Sequence, residues 1–552
     1  HVPTQNNRIL HLVTTILTDL LSSFYAVPYH KDSIFSNLSH RNFTVIHKIT
    51  AEKEVSVETM DENISGDVEI PSEVEFEAKK YKVSCIGDEA FTGCGNIKSV
   101  VIPNTVTHIG TEAFSWSNIH VVIPGTVTSI GGGAFYGSKS FRTFDFAYEG
   151  HTLRYEVIAE NEVWVACRGD EKSYNISGEL KIPSEVEYEK KKYKVTRIGQ
   201  WAFGGCSNLK SVIIPNSVMS IEVEAFAGCG LQNIVIPNSV KGIGSLAFAQ
   251  CHNLQSIVIP NSVISVGELI FRECSNLQSI FISESVASFD SLTFKRCPNL
   301  SEIEASPSNK RYSPKDGVLY SKSGDTLFVV PGKTVDFTIP NTVKCIGNGA
   351  FAFCDSFRSV TIPNSVTSIG NSAFLNCRNL QSVFIPNSVT SFGKEAFGNC
   401  QNLQSVTIPN SVTYIGEGTF ANCQNLQSVV IPNSIKRIED GTFWGCRHMR
   451  NVSIPNSVTS IGRGVFSGCS NLTNVVIPNS VKSIGKEAFA NCDVLWNLTI
   501  EAKRPPIIGE RVFYNMYDAT FAPAIYVPAA SVEKYKAAEG WKKYADKIQP
   551  IK

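Results

Sequence analysis

The reading of the whole chain turns on one stretch: Asn402-Leu403-Gln404-Ser405-Val406-Thr407-Ile408-Pro409-Asn410-Ser411-Val412-Thr413-Tyr414-Ile415-Gly416-Glu417-Gly418-Thr419-Phe420-Ala421-Asn422-Cys423. The same pattern returns at a step of 23 residues on either side of it. The proline of an Ile-Pro pair stands at 340, 363, 386, 409, 432, 455 and 478, and phenylalanine at 351, 374, 397, 420, 443, 466 and 489. Cysteine keeps the same step at 354, 377, 400, 423, 446, 469 and 492. An earlier run carries Phe203, Phe226, Phe248, Phe271 and Phe294, and a first run Phe91, Phe114 and Phe135, so the chain holds fifteen such units. A fixed period of this length is the mark of stacked coils, because a single unit cannot bury its apolar face without a neighbour.

Within the unit, Leu403, Val406 and Ile408 occupy positions 1, 4 and 6 of the pattern L-x-x-L-x-L. Residues 406–408 alternate inward, outward and inward, as a half-buried strand does. Pro409 has no N–H to give to a ladder, so the strand ends there. Val412, Ile415 and Phe420 point into the same core from the return side, and Gly416 permits a tight turn before a short helical piece holding Phe420 and Cys423. The expected fold is a β-rich α/β solenoid, a leucine-rich repeat superhelix of about fifteen 23-residue coils with two hairpin insertions and terminal caps.

The phenylalanine step locates the insertions. From Phe135 to Phe203, and again from Phe294 to Phe351, the chain is longer than one coil. The first gap contains β-rich runs at 153–158 and 162–167, the second at 317–320 and 326–330, and each pair reads as a hairpin. Residues 63–83 are duplicated at 175–195 with an offset of 112, which makes 43–58 the counterpart of the first hairpin. The organisation that follows is an N-terminal helical segment and hairpin cap at 1–65, repeat blocks at 66–140, 178–300 and 334–523, hairpin insertions at 141–177 and 301–333, and a C-terminal cap at 524–552. The insertions read as breaks in one superhelix rather than as domain boundaries. In the last segment, Ser531 is placed to N-cap a helix over 532–538 and Gly540 to stop it.

The repeat's Ile-Pro-Asn-Ser-Val-Thr-Ser-Ile-Gly, Ala-Phe and Asn-Cys elements resemble the BspA-like leucine-rich repeats of bacterial surface proteins. The resemblance covers about residues 66–515, and the tail 524–551 is similar to the C-terminal segment of such proteins in the Bacteroidota. It implies an extracellular or cell-surface location and adhesion to host matrix or cell-surface proteins, or to other bacteria. A repeat scaffold does not choose its own ligand, so the site has to be argued from residues.

Composition narrows the partners. The 552 residues carry 50 Lys+Arg against 50 Asp+Glu, which removes the electrostatic case for nucleic acid or an anionic membrane. The chain starts at His1 rather than Met, which points to a trimmed or replaced N-terminus. Residues 8–26 place Ile9, Leu12, Val13, Ile16, Leu17, Leu20, Leu21 and Phe24 on one helical stripe. His11 and Asp19 interrupt the run, so an amphipathic helix covering an end of the fold is favoured over a signal remnant. No apolar stretch elsewhere is long enough to insert in a membrane.

Little in the sequence points to catalysis. There is no C-x-x-C, H-E-x-x-H, G-x-S-x-G or Walker pattern, and the ten histidines share no register, so neither enzyme, metal nor cofactor is expected. Thirteen of the sixteen cysteines hold the repeat position, the others being Cys85, Cys167 and Cys345. Parallel, inward-pointing side chains are poorly aimed for disulfides, which favours a buried ladder of free thiols.

The better candidate is the concave strand face. One residue per coil points outward between positions 4 and 6: Val101, Val122, Ile213, Val235, Val258, Phe281, Thr361, Phe384, Thr407, Val430, Ser453, Val476 and Thr499. Nine of these thirteen are apolar, where a solvated strand would place polar groups. β-branched residues favour strands in any case, which is the plainer reading; the functional one is a ligand-contact stripe centred on Phe281 and Phe384. Glycan capture and a purely architectural spacer are the competing functions. Arg168-Gly169-Asp170 follows the 162–167 run and resembles an integrin-recognition tripeptide, with a charged turn as the plainer reading.

Overall fold

The computed structural model describes residues 35–551, apart from 41–42, 52, 61–64, 77–78, 118, 136–141, 167–175, 291, 336 and 516–521. The chain divides into two compact units, His1–Arg142 and Thr143–Lys552. The division falls at the start of the first interruption, where the sequence reads as a break within one superhelix, and the second interruption lies inside the second unit. Residues 8–26 lie outside the described residues.

The 402–423 coil shows how the second unit is built. Its first strand, Ser405–Thr407, pairs in parallel with Ser382–Phe384 and Ser428–Val430, so Val383, Val406 and Val429 stand in register. Its second strand, Tyr414–Ile415, pairs in parallel with Ser391–Phe392. Leu403, Val406, Ile408, Val412, Ile415, Phe420 and Cys423 are all buried, as the apolar pattern requires. The first unit repeats the arrangement, with Ile97–Val101 paired to His120–Val122 and Cys85–Ile86 to His108–Ile109.

The third side of the coil differs from expectation. The Phe397 N–H donates to Thr419 O of the next coil at 2.8 Å, and Glu395 and Asn399 donate to Glu417 O and Ala421 O at 2.8 and 2.7 Å. Ala396 and Cys400 instead close turns onto Gly393 O and Phe397 O. Alternate N–H groups are therefore committed to the neighbouring coil, and a continuous i→i−4 helix cannot form. The residue before each ladder cysteine adopts positive φ, for example Asn399 at 58°, Asn422 at 55° and Gly468 at 75°. That is the third position of a turn that needs a left-handed residue, which Asn and Gly enter at least cost. This accounts for the Asn-Cys and Gly-Cys dipeptides.

Gly416 also has a different role from the one expected. Its φ is not positive; instead a Cβ there would lie 2.6 Å from the Gly393 carbonyl carbon and from Lys394 N. The residue is glycine because two coils approach backbone to backbone.

Phenylalanines stack from coil to coil. Ring centroids are 5.5 Å apart for Phe397–Phe420 and 5.7 Å for Phe420–Phe443, with planes within 4°. The column runs from Phe351 to Phe489 and gains one more ring, Phe513 at 6.1 Å, from a turn beyond the fifteen periodic coils. A second column runs from Phe203 to Phe294, and the first unit carries Phe91, Phe114 and Phe135. Beside each column runs the cysteine ladder. Cys423 Sγ donates to Phe397 O at 3.2 Å, and Cys446 and Cys469 repeat the bond to Phe420 O and Phe443 O. A small apolar side chain with one weak donor suits a site flanked by rings on one side and a carbonyl on the other.

The described cysteines are all free. Burial pushes the Cys423 and Cys469 thiols up to about 12, which suppresses the reactive thiolate. Native protein should therefore resist alkylation at pH 8 at the ladder positions and at Cys85, which burial and the nearby Glu58 and Asp88 also push up to about 12, with the partly exposed Cys345 the first of the described thiols to label. After denaturation without reductant, titration should find all sixteen thiols. A count below about ten would mean a disulfide-tied solenoid instead.

Each block opens on an antiparallel meander. In the second unit these are Arg142–Tyr148, His151–Ala159 and Glu162–Ala166, and later Tyr312–Lys315, Val318–Ser321 and Thr326–Val329. The last strand of each pairs in parallel with the second strand of the first coil, Lys191–Ile198 or Cys345–Ile346. Phe35–His40, Phe43–Ala51 and Glu54–Met60 do the same in the first unit against Lys79–Ile86. The two-strand reading of the insertions missed the opening strand each time; Pro314 hides one of them. The offset of 112 is kept element for element, Glu73–Phe76 with Lys79–Ile86 recurring as Glu185–Tyr188 with Lys191–Ile198.

At the C-terminus, Ala524–Val527 and Ile548–Pro550 extend the first-strand ladder and a helix, Val532–Ala537, crosses the end. Ser531 precedes that helix but does not cap it; its hydroxyl donates to Lys503 O at 3.0 Å. Tyr535 and Trp541 are fully buried and anchor the cap by donating to Ala502 O and Pro506 O at 2.8 and 2.7 Å. Gly540, at φ 78°, turns the chain shortly past the helix.

Candidate functional site

The first-strand ladder carries the residues singled out in the sequence. In the first unit Val101 and Val122 are exposed on it. In the second unit so are Ile213, Val235, Val258, Phe384, Val430 and Val476, with Val235 79 %, Val430 68 % and Phe384 63 % exposed. Their neighbours at positions 4 and 6, such as Val429 and Ile431, are buried, so the stripe lies wholly outside the core. Thr361, Thr407 and Ser453 continue it as exposed polar residues.

Phe281 does not belong with Phe384. It is only partly exposed, because it stands in register with Val258 on one side and Glu304 on the other. Phe384 is flanked in its column by Thr361 and Thr407, which are too short to shield a ring. The aromatic centre of the stripe is therefore Phe384 alone. Around Ile213 and Val235 the face is recessed into an open groove of about 660 Å³, lined also by Asn216, Pro237 and Asn238. This coil is one residue short, Phe226 to Phe248 spanning 22, and Gly230 replaces the missing turn residue at a point where a Cβ would meet Ser207 O at 2.0 Å.

Arg168, Gly169 and Asp170 lie outside the described residues. Among the described residues, no group of three or more His, Cys, Asp or Glu is placed to hold a metal ion, and no helix is long and apolar enough to cross a membrane.

The sequence reading passed over one exposed aromatic on the strand face. Trp496, 60 % exposed, stands next to Leu495 at position 2 of its coil, where Gln381, Gln404 and Gln427 stand in others. The break in that column of glutamines was the signal available.

Paired parallel ladders, a stacked aromatic column and a turn-built third side define a solenoid of the leucine-rich-repeat class. The BspA type leucine rich repeat region profile matches residues 68–162, 190–315, 324–450 and 437–522, and the chain belongs to that family. No curated protein matches it. Among solved structures, a leucine-rich repeat protein from Eubacterium ventriosum is 24% identical with a TM-score of 0.50, covering 62% of this chain and 93% of its own. One from Bacteroides ovatus is 23% identical, TM-score 0.33, over 94% of this chain and 100% of its own. A leucine rich cell surface protein from Faecalibacterium prausnitzii is 25% identical, TM-score 0.31, over 83% and 96%.

Proposed function

We propose that this chain is a non-enzymatic recognition protein, displayed outside the cell, that adheres to host matrix or cell-surface proteins or to other bacteria through its first-strand face. The observation that carries this reading is the stripe: six exposed apolar side chains at one repeat position in the second unit, and two at the same position in the first, each on a strand whose inward neighbours already fill the core. Exposed apolar and aromatic area held on a rigid frame is what interface anchors are made of. The family likeness to bacterial surface proteins supports the location.

The test uses Phe384→Ser with Val430→Ser, two changes that remove exposed apolar area without entering the core. Parent and variant should melt together. Against immobilised collagens, laminin and fibronectin, and against whole bacterial cells, the parent should bind at least one target and the variant at least tenfold more weakly, about 1.4 kcal/mol. Asp170→Glu, with immobilised integrins added to the panel, tests the Arg168-Gly169-Asp170 segment. Equal binding by parent and stripe variant would move recognition off this face.

A further inference from the structure

The strand face changes character over its last coils. At position 3 the coils before them carry Ser359, Ser382, Ser405 and Ser428; from there on the residue is Asn451, Asn474 and Asn497. The last two amides are bonded across coils: Asn497 Nδ2 donates to Asn474 Oδ1 at 2.7 Å, while Asn474 Nδ2 donates within its own coil to Thr473 Oγ1 at 3.1 Å. In the next coil the register partner of Asn497 is Ala524, which has no polar group to extend the chain of bonds. The Asn474–Asn497 bond is therefore the last of its kind in the stack, and no polar side chain stands opposite Asn497 in the next coil. One residue before Asn497 stands Trp496, with most of its indole in solvent. Thr499 and Tyr526, partly exposed and in register with each other, supply hydroxyls at position 5.

This group has a specific chemical character. From 359 to 499 no outward residue of the first strands at positions 2, 3 or 5 is Asp or Glu, and at those three positions the four coils from 404 to 476 carry one charge, Arg450. The chain as a whole is 18% charged, so its charges are placed on other faces. The nearest ladder charges, Arg450 and Lys547, each stand two coils from the Trp496–Asn497 pair, and Lys547 is already paired with Asp546 at 3.4 Å, so a charged or phosphorylated ligand would find no counter-charge in the adjacent coils. A purely apolar partner would have to desolvate a row of amides and hydroxyls without pairing them, at a cost of roughly 1–3 kcal/mol for each buried group. A pyranose ring matches both halves. Its C–H face stacks on a flat indole, and its vicinal hydroxyls each donate and accept, which suits an oriented amide beside the ring.

We propose that the C-terminal end of the strand face is a binding site for a neutral glycan, with Trp496 as the stacking platform and the Asn474–Asn497 amide ladder as the hydroxyl reader. The site adjoins the last apolar residue of the stripe, Val476, which is in register with Thr499, but lies three coils beyond Val430 and five beyond Phe384, so it can be tested apart from them.

The repeat itself supplies variants that should fold. Trp496→Gln places at position 2 the residue already carried by the coils of Gln381, Gln404 and Gln427, and Asn497→Ser restores the residue of Ser382, Ser405 and Ser428. The full chain is run through native gels containing hydroxyethylcellulose, xyloglucan, galactomannan, laminarin or amylopectin. At least one of these should retard the parent. Trp496→Gln should raise the Kd for that polysaccharide at least tenfold and Asn497→Ser several-fold, while Phe384→Ser with Val430→Ser leaves the mobility shift unchanged. If none of the five retards the parent, or if both consensus variants are retarded as the parent is, the proposal is wrong. Loss of retardation in the stripe variant with retention in Trp496→Gln would equally overturn it, by placing the sugar on the stripe.

Discussion

Replacing Phe420 with alanine should destabilise the second unit by about 3–5 kcal/mol, the range for deleting a large buried aromatic side chain. Phe420 is fully buried, stacked on both faces and met edge-on by Phe392, so its loss removes three ring contacts and leaves a void between Phe397 and Phe443. In a solenoid each coil is held by its neighbours, so the damage should spread along the stack. Amide hydrogen exchange should show loss of protection centred on 397–443 and falling off on both sides. A variant that melts with the parent would mean that the column is not the core.

The second large effect is expected at an ion pair, Arg197–Glu222, that is the only fully buried one among the described residues. Arg197 and Glu222 are each 1% exposed, with Arg197 Nη1 3.3 Å from Glu222 Oε1 and donating to Ser220 Oγ at 2.9 Å. At the position 112 residues earlier the first unit has Cys85, so the ion pair is a local addition to a duplicated frame. Arg197→Met keeps an unbranched apolar stem but removes the guanidinium, and strands the Glu222 carboxylate in a buried site. The expected cost is about 3–5 kcal/mol, since breaking one half of such a pair leaves an uncompensated charge. Arg197→Met combined with Glu222→Gln should recover most of that loss, because no charge then remains to be solvated. Denaturant unfolding measures both, and a single variant as stable as the parent would show that the pair carries no net weight.

Much of this fold could be read before any coordinates. The 23-residue step placed Leu403, Val406, Ile408, Val412, Ile415, Phe420 and Cys423 inside, and all seven are buried. Periodicity reports which side chains share an environment, which is why it served so well there. It does not report backbone conformation. Asn399 and Asn422 look like ordinary polar residues until their positive φ is seen, and Gly416 looks like a turn residue until Gly393 is found against it. Phe281 and Phe384 occupy the same repeat position, and only the size of their cross-coil neighbours separates a half-covered ring from an open one. Trp496 was legible only as an exception within a column of glutamines, and the amide ladder beside it depends on side-chain geometry that spacing alone does not contain.

The direction of the hydrogen bonds between coils has a mechanical consequence. Both strand ladders and the Phe397-to-Thr419 type of bond run along the stack, so tension applied to the two ends of the second unit loads coils in series. A coil that lets go frees 23 residues, on the order of 80 Å of extended chain, where it had contributed ~4.8 Å of stack. Extension should thus proceed in long, discrete steps at modest force, each step absorbing work that would otherwise reach the attachment point. The weakest place to begin is the second interruption, where the aromatic column ends at Phe294, resumes at Phe351, and the core passes from one apolar cluster to another. In the adhesive role proposed above, such a chain would act as a shock absorber.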